Sequence, residues 1–385
     1  MVTLAFAVSA NALSNAATWH MTSPPSLSSF ANVLQSVRAF SDTNVYAVGV
    51  TQSALIDHWN GLRWTRTVLI LPGASSAIRL DVVAGIAPTD MWVGGNQPMG
   101  SSDNPFPMLY HFIGRGWHYT PLPALPAGFS GNVIAINPRA SNDVWALVDV
   151  NNFSTATEST LIEHWNGTSW SMTLYPRPAF GTSSAYTVRL QAIQALSPTN
   201  VWVVGYTPAA PGALPDGEQI IEHYNGSYWR VVPNPPVPAS NTLARALHSV
   251  WGMTAANVWA VGEFQILVSG DLLYTRTYAI HWNGATWSNV YTPNYPMSSM
   301  ADNTLQAVSG PASGDAANVW AVGYAFGKYP LAFHFNGSSW AFSQWPPTYA
   351  PTALNAVDVI GTNDVWAVGA NDLADTVDVA DHYAL

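Results

Sequence analysis

Asn257-Val258-Trp259-Ala260-Val261-Gly262, followed further on by His281-Trp282-Asn283-Gly284-Ala285-Thr286-Trp287, is one copy of a paired pattern that runs the length of the 385-residue chain. The first string returns at Asn44–Gly49 (Tyr46 for Trp), Asp90–Gly95, Asp143–Val148, Asn200–Gly205, Asn318–Gly323 and Asp364–Gly369, so seven copies stand 46 to 61 residues apart. The second returns at His58–Trp64, His164–Trp170, His223–Trp229 and His334–Trp340, with a variant at His111–Trp117. The seventh histidine, His382, has no Trp after it. The missing part is at the other end: Asn15-Ala16-Ala17-Thr18-Trp19 repeats Asn283–Trp287 in all but one position.

Each repeat reads as four strands. Strand a has the form of Leu190–Ile193, and the turn Ser197–Asn200 leads into strand b at Val201–Tyr206. Strand c follows at Gln219–Tyr224. Asn225-Gly226 then supplies the positive-φ residues of a tight hairpin, and Trp229 opens strand d. Apolar content in strands a and b is continuous rather than alternating, as expected of sheets covered on both faces by neighbours. The expectation is an all-β fold, a seven-bladed β-propeller of four-stranded blades. Its last blade takes strand d from the N-terminus and strands a to c from the C-terminus. Such a join closes the ring with main-chain hydrogen bonds and removes the free strand edge of a seam. Residues 15–385 are then a single domain, preceded by an extension or leader remnant over residues 1–14, where Ala10-Asn11-Ala12 fits the small-x-small form of a signal-peptidase site.

Composition narrows the function classes. With no Cys, disulfides, thiolate metal sites and cysteine nucleophiles are excluded. Charged residues make up 9% of the chain and the net charge is −10, which argues against nucleic acid, whose phosphates need clustered Lys and Arg. No apolar run approaches the ~20 residues of a membrane-spanning helix. The weakly charged, Trp-rich chain suits an extracellular or cell-surface location.

The strings resemble a family of Trp-rich propeller repeats in predicted secreted proteins of filamentous soil bacteria, written D-V-W-A-V-G followed by H-W-N-G-x-x-W. The resemblance covers residues 15–385. More distantly the repeats resemble kelch repeats, whose double glycine survives here only at Gly94-Gly95. The Gly-x-x-Trp hairpin is similar to a sialidase Asp-box, with Trp59, Trp165 or Trp282 in place of the Asp. What the resemblance implies is a fold, because propellers host unrelated activities.

The repeated His, Trp and Asn-Gly are read as scaffold, since seven equivalent positions around a ring cannot converge on one ligand. Removing them leaves few exceptions. Of eighteen Trp, only Trp251 and Trp345 fall outside the repeat; of ten His, only His20, His118 and His248. Strand a carries a polar second position at Gln35, Asp81, Gln191, His248, Gln306 and Asn355, with Ile134 the exception. These side chains, with Trp251 as a stacking platform, are expected to gather at the channel mouth that carries the d–a and b–c connections, and form the candidate ligand site. The b–c connections Asn96–Pro107, Asp149–Thr160, Tyr206–Glu218, Glu263–Arg276 and Ala370–Ala380 are long, and Asp149, Asp216, Glu218, Glu263 and Asp271 place acid on them.

No catalytic residue, metal site or cofactor is assigned. The expected function is a non-catalytic binding module at or outside the cell surface, with carbohydrate or another surface protein as partner. One alternative is a glycoside hydrolase or lyase, for which Asp81 and Asp358 are the pair of carboxylates to examine. The other is a structural component of a surface assembly, to which exposed aromatics such as Trp345 would contribute.

Overall fold

A computed structural model describes residues 18–22, 24, 33–50, 54–68, 78–99, 102–152, 157–173, 188–207, 217–269, 272–294, 302–312, 314–326, 329–343, 352–371 and 378–384. Trp345, Asp216, Asp271 and the extension over 1–14 lie outside the described residues. Seven antiparallel four-stranded sheets form a closed ring of blades, and no helix occurs among the described residues. Blades 1 to 6 are continuous: Val33–Val68, Arg79–Tyr119, Phe129–Thr173, Arg189–Val231, Thr242–Val290 and Asn303–Phe342. Blade 7 is Thr352–Ala384 plus the N-terminal strand Thr18–Met21, whose Trp19 registers with Tyr383 and His20 with His382.

The repeat residues build the scaffold as expected. In every blade the histidine Nε2 bonds the Asn or Asp that opens strand b, from His58–Asn44 at 2.9 Å to His382–Asp364 at 2.7 Å. Its ring lies on the aromatic ring of strand b, as in Trp92–His111 with centroids 3.9 Å apart and planes at 7°. Where the partner is a neutral Asn, burial lowers the pKa of His58, His281 and His334, and that of His223 to about 4.

In six blades the strand-d Trp drives edge-on into the strand-b Trp of the preceding blade. Six such pairs are T-shaped, for example Trp287 on Trp202 at 5.4 Å and 86°, and Trp19 on Trp320 at 5.6 Å and 89°. At the remaining junction Trp117 packs in one cluster with Tyr46. Edge-to-face pairs add about 0.5–1.5 kcal/mol beyond area burial, so the same device bolts six of the seven junctions.

The terminal glycine of the strand-b string has its own cause. Strand a is bulged at its second position in all seven blades, between Leu34 and Ser36 and at each equivalent point. The bulge pushes the preceding carbonyl against strand b: a Cβ on Gly205 would stand 1.9 Å from Arg189 O, and the same clash recurs at Gly49, Gly95, Gly262, Gly323 and Gly369. Blade 3, the one with Val148 in place of glycine, is also the one with apolar Ile134 at the bulge.

Candidate functional site

The polar second positions predicted from sequence are the bulged residues themselves, and several of them bond side chains or carbonyls of other strands. Asp81 accepts bonds from Arg79 Nε at 2.7 Å and from Asn132 Nδ2 of blade 3 at 2.8 Å. Asn355 donates to Leu34 O of blade 1 at 2.9 Å, and Gln306 Nε2 to Tyr324 Oη at 3.4 Å. Gln35 and Gln191 are half-buried. His248 Nε2 stands 3.9 Å from Glu263 Oε2, whose other neighbour is the Thr304 hydroxyl of blade 6. Burial raises the Glu263 pKa, but His248 and Thr304 outweigh it, leaving that carboxyl below its ordinary range. The seven candidates are divided among different surroundings, two of them in the hollows described below. His248 lines one hollow, Trp251 another, and the other five line neither.

Trp251 belongs to a different layer. Four residues past the repeated Leu or Val that starts strand a lie Arg38, Ala84, Asn137, Gln194, Trp251, Ser309 and Asp358, each in register with the strand-b aromatic. This layer lines a central cavity of about 440 Å3 to which strand a of every blade contributes. Much of its polarity is committed to stitching strand a to strand a. Arg38 donates to Gly85 O and to Asp358, Asp358 accepts from Ala39 N, and Asn137 Oδ1 accepts from Ala195 N. Trp251 lies against blade 6, where a Cβ on Gly310 would meet its ring at 2.5 Å. Asp81 and Asp358, the pair weighed for hydrolysis, are each held by an arginine of their own, Arg79 and Arg38.

A second hollow, of about 230 Å3, opens between blades 4 and 5 on the face of the b–c connections. Arg189 and Tyr206 of blade 4 form one side. Arg245, His248, Glu263, Phe264 and Gln265 of blade 5 form the other, over the small Ala244 and Ala246. Arg189 pairs with Glu158, and the buried Arg245 pairs with Glu218 and donates to Pro235 O at 2.9 Å. Both guanidiniums are thus neutralised from behind, and the pocket presents a mixed polar and aromatic wall.

That wall is tall because the connection Glu263–Arg276 is largely strand. Strands Thr242–Thr254, Asn257–Ser269 and Leu272–Trp282 run past the ring as a three-stranded flap, with pairs out to Thr242–Ile266 and Ser269–Leu272. Leu243, Leu267 and Val268 are exposed near its tip. Blades 2 and 3 extend their b–c hairpins likewise, to Met99–Ser102 and Asn152–Thr157. Sequence reading missed Arg189, Tyr206, Arg245 and Phe264. The available signal was the continued alternation Phe264-Gln265-Ile266 beyond the glycine, which marks a strand rather than a loop.

No family model and no curated protein matches the chain. Among solved structures, YCF48 bound to D1 peptide is similar with 14% identity over 95% of this chain and 97% of that one, at a TM-score of 0.53. The WD40 propeller domain of Doa1 is similar with 12% identity over 94% and 96%, at a TM-score of 0.56. PorZ, a bacterial surface component of the type-IX secretion system of Porphyromonas gingivalis, is similar with 13% identity over 89% of this chain and 45% of that one, at 0.52. At these identities the likeness is one of fold.

Proposed function

We propose that this propeller is a non-catalytic interaction module that takes a polypeptide partner on its b–c face, with the hollow between blades 4 and 5 at the centre of contact. The observation that carries the reading is the flap of blade 5 standing over a pocket of non-repeating side chains, Tyr206 and Phe264 among them. A rigid scaffold with one irregular, aromatic-lined recess is where recognition concentrates. The propeller likeness to YCF48, solved with a peptide, supports it as precedent for the fold. A location outside the cell or on its surface belongs to the same proposal and rests on the low charge and Trp-rich composition.

A peptide array probed with the purified chain tests the reading. Phe264→Ala and Tyr206→Ala are expected to weaken the peptides found by about 10-fold or more, the loss typical of a contact-centre aromatic. The rim variant Tyr228→Ala should leave them unchanged. Peptide binding indifferent to both pocket variants, or the absence of any peptide binding, overturns the proposal. Selective capture on a parallel glycan array, lost in Trp251→Ala, would establish the carbohydrate reading instead.

A further inference from the structure

Just before each repeat histidine, strand c carries a residue that faces the preceding blade, and its cross-strand partner is two residues past the strand-d Trp. In blade 1 this pair is Asp57 and Arg66, joined by two bonds of 2.8 and 2.7 Å with Asp57 fully buried. In blade 7 the same register pairs Asp381 with Met21 of the N-terminal strand. Asp381 is 1% exposed, and neither carboxylate oxygen has a hydrogen-bond partner. An acid thus lies under the one strand that closes the ring, in a register where blade 1 supplies a cation and blade 7 a thioether.

Among the described residues the surroundings offer the charge no hydrogen-bond partner. On its face, the N-terminal strand contributes Trp19 and Met21, and strand b of blade 7 contributes Val365 and Ala367. Blade 6 contributes Trp320, Val322 and Ala332. Among the described residues the titratable group sharing that face is Tyr383, itself raised by burial. His382 and His20 register with each other on the opposite face, where Asp364 bonds His382. We propose that closure of the ring is proton-controlled: with Asp381 neutral the N-terminal strand stays docked, and ionisation of Asp381 favours its release.

The strand is the element positioned to yield. It pairs with strand c of blade 7 alone, over four register positions, and is anchored by Trp19, whose Nε1 donates to Ser343 Oγ at 3.1 Å. An unpaired buried carboxylate is costly, and undocking a terminal strand readmits water to it without unfolding the ring. Burial holds the Asp381 carboxyl well above the ordinary range, so the docked state binds the proton and the open state does not. The stabilisation of docking is therefore fully present below the ordinary Asp range and is lost as pH rises through the docked value. Across that window the opening constant rises about tenfold per pH unit, then levels off.

Hydrogen exchange of the Thr18–Met21 amides, corrected for intrinsic rates and followed from about pH 5 to about pH 9, reads this directly. The wild-type chain should lose protection about tenfold per unit until it levels off. Asp381→Asn should remove the slope. Met21→Arg, which sets a guanidinium in the register of Arg66, should remove it as well and supplies the test if Asp381→Asn fails to fold. Glu222→Gln, in blade 4, should keep it. A flat wild-type profile, a slope surviving in the Asp381→Asn or Met21→Arg variant, or a slope abolished by Glu222→Gln overturns the proposal.

Discussion

At the scale of single residues the repeat separates into parts with different physical causes. The histidine is a clamp between the strand-b opener and the stacked aromatic ring, so its protonation is suppressed by burial in the Asn-paired blades. The glycine is a clearance for the bulge. Gly205→Ala is expected to destabilise by about 1–3 kcal/mol, because the new Cβ would overlap Arg189 O and strand a must shift. Chemical denaturation measures it, and an unchanged midpoint would mean that the bulge is soft. The sequence places glycine there in six of seven blades but does not say why, since the colliding carbonyl comes from strand a, fifteen or more residues away.

At the scale of the blade, the strand-c position before the histidine varies without loss of fold. It is Tyr110, Ile280 or Phe333 in three blades and a buried acid in Asp57, Glu163, Glu222 and Asp381. Among the described residues Asp57 is the one of these acids paired with a cation, while burial raises Glu163 to about 7 and Glu222 to about 8. Both values exceed those of the unfolded chain, so the stability these acids leave intact below about pH 4 is lost as pH rises through the folded values. The melting temperature is therefore expected to fall between about pH 5 and about pH 8, and Glu222→Gln, which cannot ionise, should shallow that fall. A pH profile of Glu222→Gln parallel to wild type would show that Glu222 is solvated in the native state. These acids were visible in the sequence as Glu-His and Asp-His pairs. Their burial was not, because it depends on the face of the adjacent blade.

At the scale of the molecule, seven equivalent junctions share the load and one of them joins the two ends of the chain. Deleting residues 1–25 removes Trp19 from its T-shaped contact with Trp320 and bares strand c of blade 7. The truncated chain is expected to melt lower, consistent with the ~3–5 kcal/mol typical of losing a buried Trp, and to associate through the free edge. Differential scanning fluorimetry and sedimentation velocity test it. A monomer with unchanged melting would sink the closure scheme.

Blade count, strand order and the joining of the ends were already present in the linear chain, because each rests on local period and on turn residues that act within a few positions. The scaffold role of His, Trp and Asn-Gly followed from their number alone. The tertiary structure decided what the variable residues do. Asp81 and Asn355, expected at the mouth, take up inter-blade bonds, Trp251 proved to belong to the channel layer, and a connection read as irregular became the flap beside the blade 4–5 pocket. Those outcomes hang on which side chain of one blade meets which backbone of the next, a relation between residues some fifty positions apart that no repeat unit encodes by itself.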